Sequence, residues 1–257
     1  MNINSTTKHS RPNNYPKARY FNKKEEMSKT LHLSSENIGL NALANYAHYN
    51  VFKGYRTKLN VAGLKQLNIP NLRFIDNNCI RGESLSSKKN RKFLTPVSKY
   101  GIKSIIDLRD KYTSLNFGDM CANTSLNYYH IPIDANSVDN RKIIDQLPLL
   151  FKILDEGNTY IACAQGLHRT DIALAINYVF NPKLQETPPV MHGHFRDKQF
   201  KFEDIFQRLN LIKKEANLED IRAFGWTSYE DFDKAFSERK NKIKEFNTNI
   251  AKELFNS

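Results

Sequence analysis

The run Cys163-Ala164-Gln165-Gly166-Leu167-His168-Arg169-Thr170 puts a thiol, a glycine, a guanidinium and a hydroxyl within eight residues. The short apolar stretch before it, Thr159-Tyr160-Ile161-Ala162, reads as a buried strand, and residues 170–180 after it (TDIALAINYVF) read as an apolar helix stopped before Pro182. A cysteine at a strand end, six residues before an arginine at a helix N-terminus, is a nucleophile at the base of a phosphate cradle. The backbone N–H groups of Ala164, Gln165, Gly166, Leu167 and His168 are expected to converge on an oxyanion, and the helix dipole adds partial positive charge. The same field favours the thiolate, which is the reactive form. Gly166 permits the backbone of a tight loop. Arg169 offers a planar fork matched to two phosphate oxygens, and Thr170 carries a hydroxyl within reach of the sulfur.

Such a loop needs a sheet edge to hold it, and the pattern from Leu72 onward supplies one. Residues 72–76 (LRFID) look like a strand, and Ser87 to Tyr100 like a helix ended by Gly101. Ile102–Leu108 is the next strand, with Arg109 and Asp110 at its exit. Tyr128–Ile133 is a third, and Asp139–Leu154 carries apolar residues at helical spacing up to Gly157-Asn158. Strands separated by helices predict an α/β fold, a mostly parallel sheet covered on both faces, with the ligand at the carboxyl ends of the strands. Residues 183–198 read as a Pro- and His-containing loop, followed by helices over about 200–216 and 229–255. At the other end, 1–33 reads as a flexible basic arm. Residues 34–69 form a helical N-terminal extension, with a helix from about Ser34 to His48 and a second short one before Pro70. The division is thus 1–33, 34–69, an α/β core over 70–182, and a helical C-terminal extension over 183–257.

The chain has 257 residues, 40% of them hydrophobic, with 16 Phe and 12 Tyr, enough for a real core. No run approaches the roughly 18 apolar residues of a membrane-spanning helix, and Met1 to Thr30 has no apolar signal-peptide region. Cys79, Cys121 and Cys163 are too few for a disulfide framework and suit a reducing, cytoplasmic compartment. Delivery into a host cell would leave the same features. The net charge of +12 is local: residues 51–103 hold twelve Lys/Arg against two Asp/Glu. That segment attracts polyanions such as a phosphorylated substrate, nucleic acid or an anionic membrane face, or else is a lysine-rich solvated surface. His192-Gly193-His194 lacks the further ligands a metal site needs, and no cofactor is implied. Arg109 either adds positive charge to the pocket or pairs with Asp107 or Asp110. His168 sits either at the pocket rim or facing solvent.

The Cys163–Thr170 run resembles the signature loop of the cysteine-dependent protein tyrosine and dual-specificity phosphatases, Cys-x5-Arg followed by Ser or Thr. The wider stretch from Cys79-Ile80-Arg81-Gly82 through YGIKSIIDLRD (100–110) and YYHIPID (128–134) to the loop is similar to a compact phosphatase domain of that superfamily. The resemblance covers about residues 70–182. It implies a metal-independent phosphatase in which Cys163 attacks phosphorus, a phosphocysteine forms, and an upstream carboxylic acid protonates the leaving oxygen. By position that acid is Asp134, with Asp139 the alternative that also suits a helix N-cap. The chain departs from the family at Ala162, where His is usual. It departs again at Asp171, often Gly, which is expected to suit the helix dipole but compete weakly with a bound phosphate. The loop has no Lys, which points to phosphotyrosine or another phosphoprotein as substrate. The basic segment points instead to an inositol phosphate, a phosphoinositide or an RNA 5′-phosphate. A phosphate-binding module without turnover is the non-enzymatic alternative.

Overall fold

The computed structural model describes residues 59–75, 79–110, 117–133, 140–183, 187–196 and 201–255. The expected basic arm and the helix from Ser34 to His48 lie outside them. Five strands form one sheet in the order β1-β2-β5-β3-β4: β1 Arg73–Phe74, β2 Ile80–Glu83, β3 Ser104–Asp107, β4 Asn127–His130 and β5 Thr159–Cys163. Only β1 runs antiparallel, so the sheet is mostly parallel and the fold is α/β, as the sequence predicts. β5 lies at the centre, with Cys163 in register with Glu83 of β2 and Ala162 with Asp107 of β3.

Every residue of β5 is buried, because both faces of the sheet are covered. The alternation of side chains along a strand splits them between two cores. Ile161 and Cys163 face one core, together with Ile106 of β3, helix α5 (Leu147–Glu156), helix α6 (His168–Phe180) and the C-terminal helices α8 (Phe202–Glu215), α9 (Leu218–Ala223) and α10 (Tyr229–Phe255). Tyr160 and Ala162 face the other core. It is built with Ile105, helices α1 (Val61–Gln66) and α2 (Leu94–Lys99), and helix α3 (Phe117–Ala122). Among the described residues no helix is long and apolar enough to cross a membrane.

Several elements differ from expectation for physical reasons. The helix expected over Asp139–Leu154 is two, α4 (Arg141–Ile144) and α5, because Pro148 has no N–H to donate and its ring clashes with the carbonyl four residues earlier, at Ile144. The helix expected over 87–100 shrinks to a 3₁₀ turn, Arg91–Phe93, running into α2. The Ser84–Asn90 segment before it is tied down locally by Asn90 Nδ2 donating to Ser84 O at 3.1 Å. β4 ends at His130, short of the expected Ile133. The 183–198 loop contains a short helix, α7 (His192–Arg196). α9 went unpredicted; it is set by a capping box in which Asn217 Oδ1 accepts the Asp220 N–H at 2.9 Å and Asp220 Oδ2 accepts that of Asn217 at 2.8 Å.

Candidate phosphate-binding loop

β5 delivers Cys163 to the carboxyl edge of the sheet, and the chain turns through Ala164–Leu167 into the first turn of α6. Cys163 is 4% exposed, Ala164 and Gln165 form the exposed outer arc, and Gly166 and Leu167 turn back inward. Gly166 is obligatory on two counts. Its φ of +69° is left-handed, and a Cβ there would lie 2.2 Å from both the carbonyl carbon and oxygen of Gly82. The loop therefore rests directly on the backbone of β2.

Three successive carbonyls of the loop are gripped from outside it. Asn71 Nδ2 donates to Gln165 O at 2.8 Å. Arg81 donates to Gly166 O from Nε (3.2 Å) and Nη2 (2.9 Å), and to Leu167 O from Nη2 (3.0 Å). A trans peptide is planar, so the N–H of the next residue points opposite to each carbonyl. With the carbonyls of 165, 166 and 167 held in this way, the N–H groups of Gly166, Leu167 and His168 point away from the side chains that grip the loop. The thirteen-residue α6 begins at His168, directly after this run, so its amino end lies next to these donors, the setting of a candidate oxyanion site.

Sequence reasoning gave Arg81 and Asn71 no role, and Asp171 the wrong one. Asp171 does not face the hollow. It is 0% exposed and forms an ion pair with Arg81, itself 1% exposed, at 2.6 Å. Its Oδ2 also accepts the Gly193 N–H at 2.6 Å. Desolvation pushes its carboxyl up from the ordinary range, and the Arg81 guanidinium opposes that push. The expected competition with a bound anion is thereby corrected: this carboxylate is spent on Arg81. The available signal was an arginine set among Cys79, Ile80 and Gly82, whose buried charge needs a partner.

The remaining candidates differ in their settings. Arg169, in the first turn of α6 with its side chain 22% exposed, lies 3.7 Å from the Asp110 carboxylate at the exit of β3. Thr170 is wholly buried, and its hydroxyl has no hydrogen-bond partner among the described residues. His168 is partly buried. Arg109 takes its pairing role: Nε and Nη2 bind Asp107 at 2.8 and 2.5 Å, Nη1 binds the Ser86 hydroxyl, and Tyr128 donates its OH to Asp107 at 3.0 Å. Asp134 and Asp139 lie outside the described residues. Ile133, the last described residue before them, donates its N–H to Leu108 O at 3.1 Å, just past the carboxyl end of β3.

The 84–92 segment follows β2 at that edge and presents Lys88, Lys89, Arg91 and Lys92 as exposed cations, none paired with a carboxylate among the described residues. His192 is buried and His194 packs on Phe202 with ring centroids 3.8 Å apart. No cluster of three metal-ligating side chains occurs among the described residues. Cys79 and Cys121 are buried and in no disulfide, and burial pushes the Cys121 thiol up to about 12.

No protein-family model and no curated protein matches the chain. Among solved structures it is similar to a DUF442 protein of Shewanella putrefaciens CN-32, at 11% identity and a TM-score of 0.39, over 70% of this chain and 97% of that one. It is also similar to P. aeruginosa TpbA in complex with pTyr, at 14% and 0.36, over 66% and 91%. A third is the core catalytic domain of the PP-IP phosphatase SIW14 from S. cerevisiae, at 13% and 0.36, over 66% and 93%.

Proposed function

We propose that the chain is a phosphatase that hydrolyses phosphomonoesters through a phosphocysteine at Cys163, acting on phosphotyrosine or another phosphoprotein. The observation that carries this is the grip on the carbonyls of Gln165, Gly166 and Leu167, which supports a reading in which consecutive N–H donors serve an oxyanion beside a strand-end cysteine. Preorganised donors of this kind stabilise charge that develops on transferring phosphoryl oxygens. Arg169 supplies the bidentate fork to two of those oxygens.

In the first step the Cys163 thiolate forms the S–P bond as the ester P–O bond breaks, and Asp134 gives its proton to the leaving oxygen. In the second, water attacks phosphorus, Asp134 takes the water's proton, the P–S bond breaks, and thiolate and inorganic phosphate are released. Thr170 donates its hydroxyl to the sulfur as it leaves. The route needs no metal, and three reduced thiols fit a reducing compartment such as the cytoplasm.

The exposed cations Lys88, Lys89, Arg91 and Lys92 favour a second reading, in which the substrate carries further anionic groups: an inositol phosphate, a phosphoinositide or an RNA 5′-end. Hydrolysis of para-nitrophenyl phosphate with chelator present, compared with Cys163→Ser, tests the reaction. A wild-type chain that binds phosphate and turns nothing over would make it a binding module. Comparing a phosphotyrosyl peptide with an inositol polyphosphate at two salt concentrations separates the substrates.

A further inference from the structure

The C-terminal helices lie outside the loop, yet a buried path joins them to it. Asn247 of α10 is 0% exposed and uses both ends of its amide. Its Oδ1 accepts the Met191 N–H at 2.8 Å, and its Nδ2 donates to Pro189 O at 3.0 Å and Ile243 O at 2.9 Å. The 189–193 segment that it fixes delivers two groups to the ion pair under the loop. Val190 O accepts Arg81 Nη1 at 3.4 Å, and the Gly193 N–H is the one bonded to Asp171. Arg81 in turn holds Gly166 O and Leu167 O.

We propose that Asn247 is a positioning residue for the phosphate-binding loop, so that α10 belongs to the catalytic unit and is more than a stabilising appendage. This rests on reading the loop as an oxyanion site. The path has three links, from the amide of Asn247 to the 189–193 segment, then to the Arg81–Asp171 pair, then to the loop carbonyls. Apart from the half-buried bond to Pro189 O, each link is buried, and two run through hydrogen bonds to a charged group, which hold geometry more tightly than neutral ones. Close-packed interiors shift between discrete arrangements and do not yield gradually. If the 189–193 segment slackens, Asp171 loses its backbone donor and Arg81 loses its third carbonyl. The guanidinium is then no longer fixed against the loop, and the N–H groups of Gly166, Leu167 and His168 lose their aim.

Arg239 provides a control on the same helix. It donates to Tyr178 O at 3.0 Å and Pro182 O at 3.2 Å, so it caps the carboxyl end of α6, away from the loop. The experiment measures calorimetric tungstate affinity and the rate of Cys163 alkylation by iodoacetamide at neutral pH, on the full chain. Asn247→Leu, with its circular dichroism unchanged, is expected to weaken tungstate binding by about tenfold and to slow alkylation. Arg239→Met is expected to lower the melting temperature and leave both readouts alone. Equal loss in the two variants, or unchanged tungstate affinity in a folded Asn247→Leu, overturns the proposal. If the leucine variant does not fold, Asn247→Asp keeps the acceptor for Met191 and loses the donor to Pro189, and should weaken tungstate by about threefold. Unchanged affinity there is equally fatal. A wild-type chain that binds no tungstate overturns the oxyanion reading itself, a result visible before any variant is made.

Discussion

Arg81 and Asp171 meet at 2.6 Å at a depth where neither is exposed to solvent, directly beneath the loop whose carbonyls the same guanidinium holds. One side chain thus neutralises a buried charge and sets the direction of the peptide units above it. The two tasks respond differently to mutation. Asp171→Ala strands the buried Arg81 and should cost about 3–5 kcal/mol in urea denaturation. The double variant Arg81→Met, Asp171→Leu removes both charges and should recover much of that stability while still failing to bind tungstate. Recovery of binding in the double variant would show that the grip on Gly166 O and Leu167 O is dispensable.

Cys163→Ser should abolish turnover and retain oxyanion binding, because the cradle survives loss of the nucleophile. Cys79→Ser and Cys121→Ser bury a hydroxyl where a weakly polar thiol sat, so they should cost about 1–2 kcal/mol of stability and leave kcat near normal. Equal loss of kcat in all three folded variants would remove the assignment.

Gly166→Ala meets two obstacles together, a φ of +69° and a Cβ placed 2.2 Å from the Gly82 carbonyl. Backbone cannot step aside as a side chain end can, so β2 and the loop must separate locally. The expected result is a loss of about 2 kcal/mol or more in stability and of phosphate-analogue binding together. Normal binding in Gly166→Ala would mean that the loop does not sit on β2.

Arg169→Lys replaces a planar fork by a point charge and should lower kcat/KM at least about a hundredfold, or about 2.7 kcal/mol of transition-state stabilisation. Rates near wild type would place phosphate elsewhere.

Asp134→Asn should cut kcat strongly for alkyl and phenolic esters and far less for an activated aryl phosphate, whose leaving oxygen needs little protonation. The high-pH fall of the pH–rate profile should flatten, since that limb reports loss of the catalytic proton. Asp139→Asn should leave the profile intact. The opposite pattern would transfer the role to Asp139.

β5, the loop and α6 were legible in the sequence because each shows its own period. An apolar run, a glycine turn and a second apolar run have one economical arrangement, and the structure adopts it from Thr159 to Phe180. β2 was not recognised as a strand, because an arginine and a glycine in four residues look unlike a buried strand, and the partner that explains the arginine is ninety residues away. Asp171 was misjudged for the same reason: its position in the first turn of a helix was visible, and which way it faced was not. Pro148 was visible as well, and its consequence, the division into α4 and α5, follows from ring geometry alone.

The seat of Gly166 on Gly82 ties the loop to a part of the chain far from it in sequence. On the proposed reading, the oxyanion donors cannot be assembled by residues 163–170 alone; β2 and β5 must first be paired. An unfolded or partly folded chain therefore has no oxyanion site, and any anion held there binds the native state only. Phosphate or tungstate at a hundred times its dissociation constant should raise the unfolding free energy by about 2.7 kcal/mol. The melting temperature then becomes a titration of the loop, one that needs neither turnover nor a known substrate.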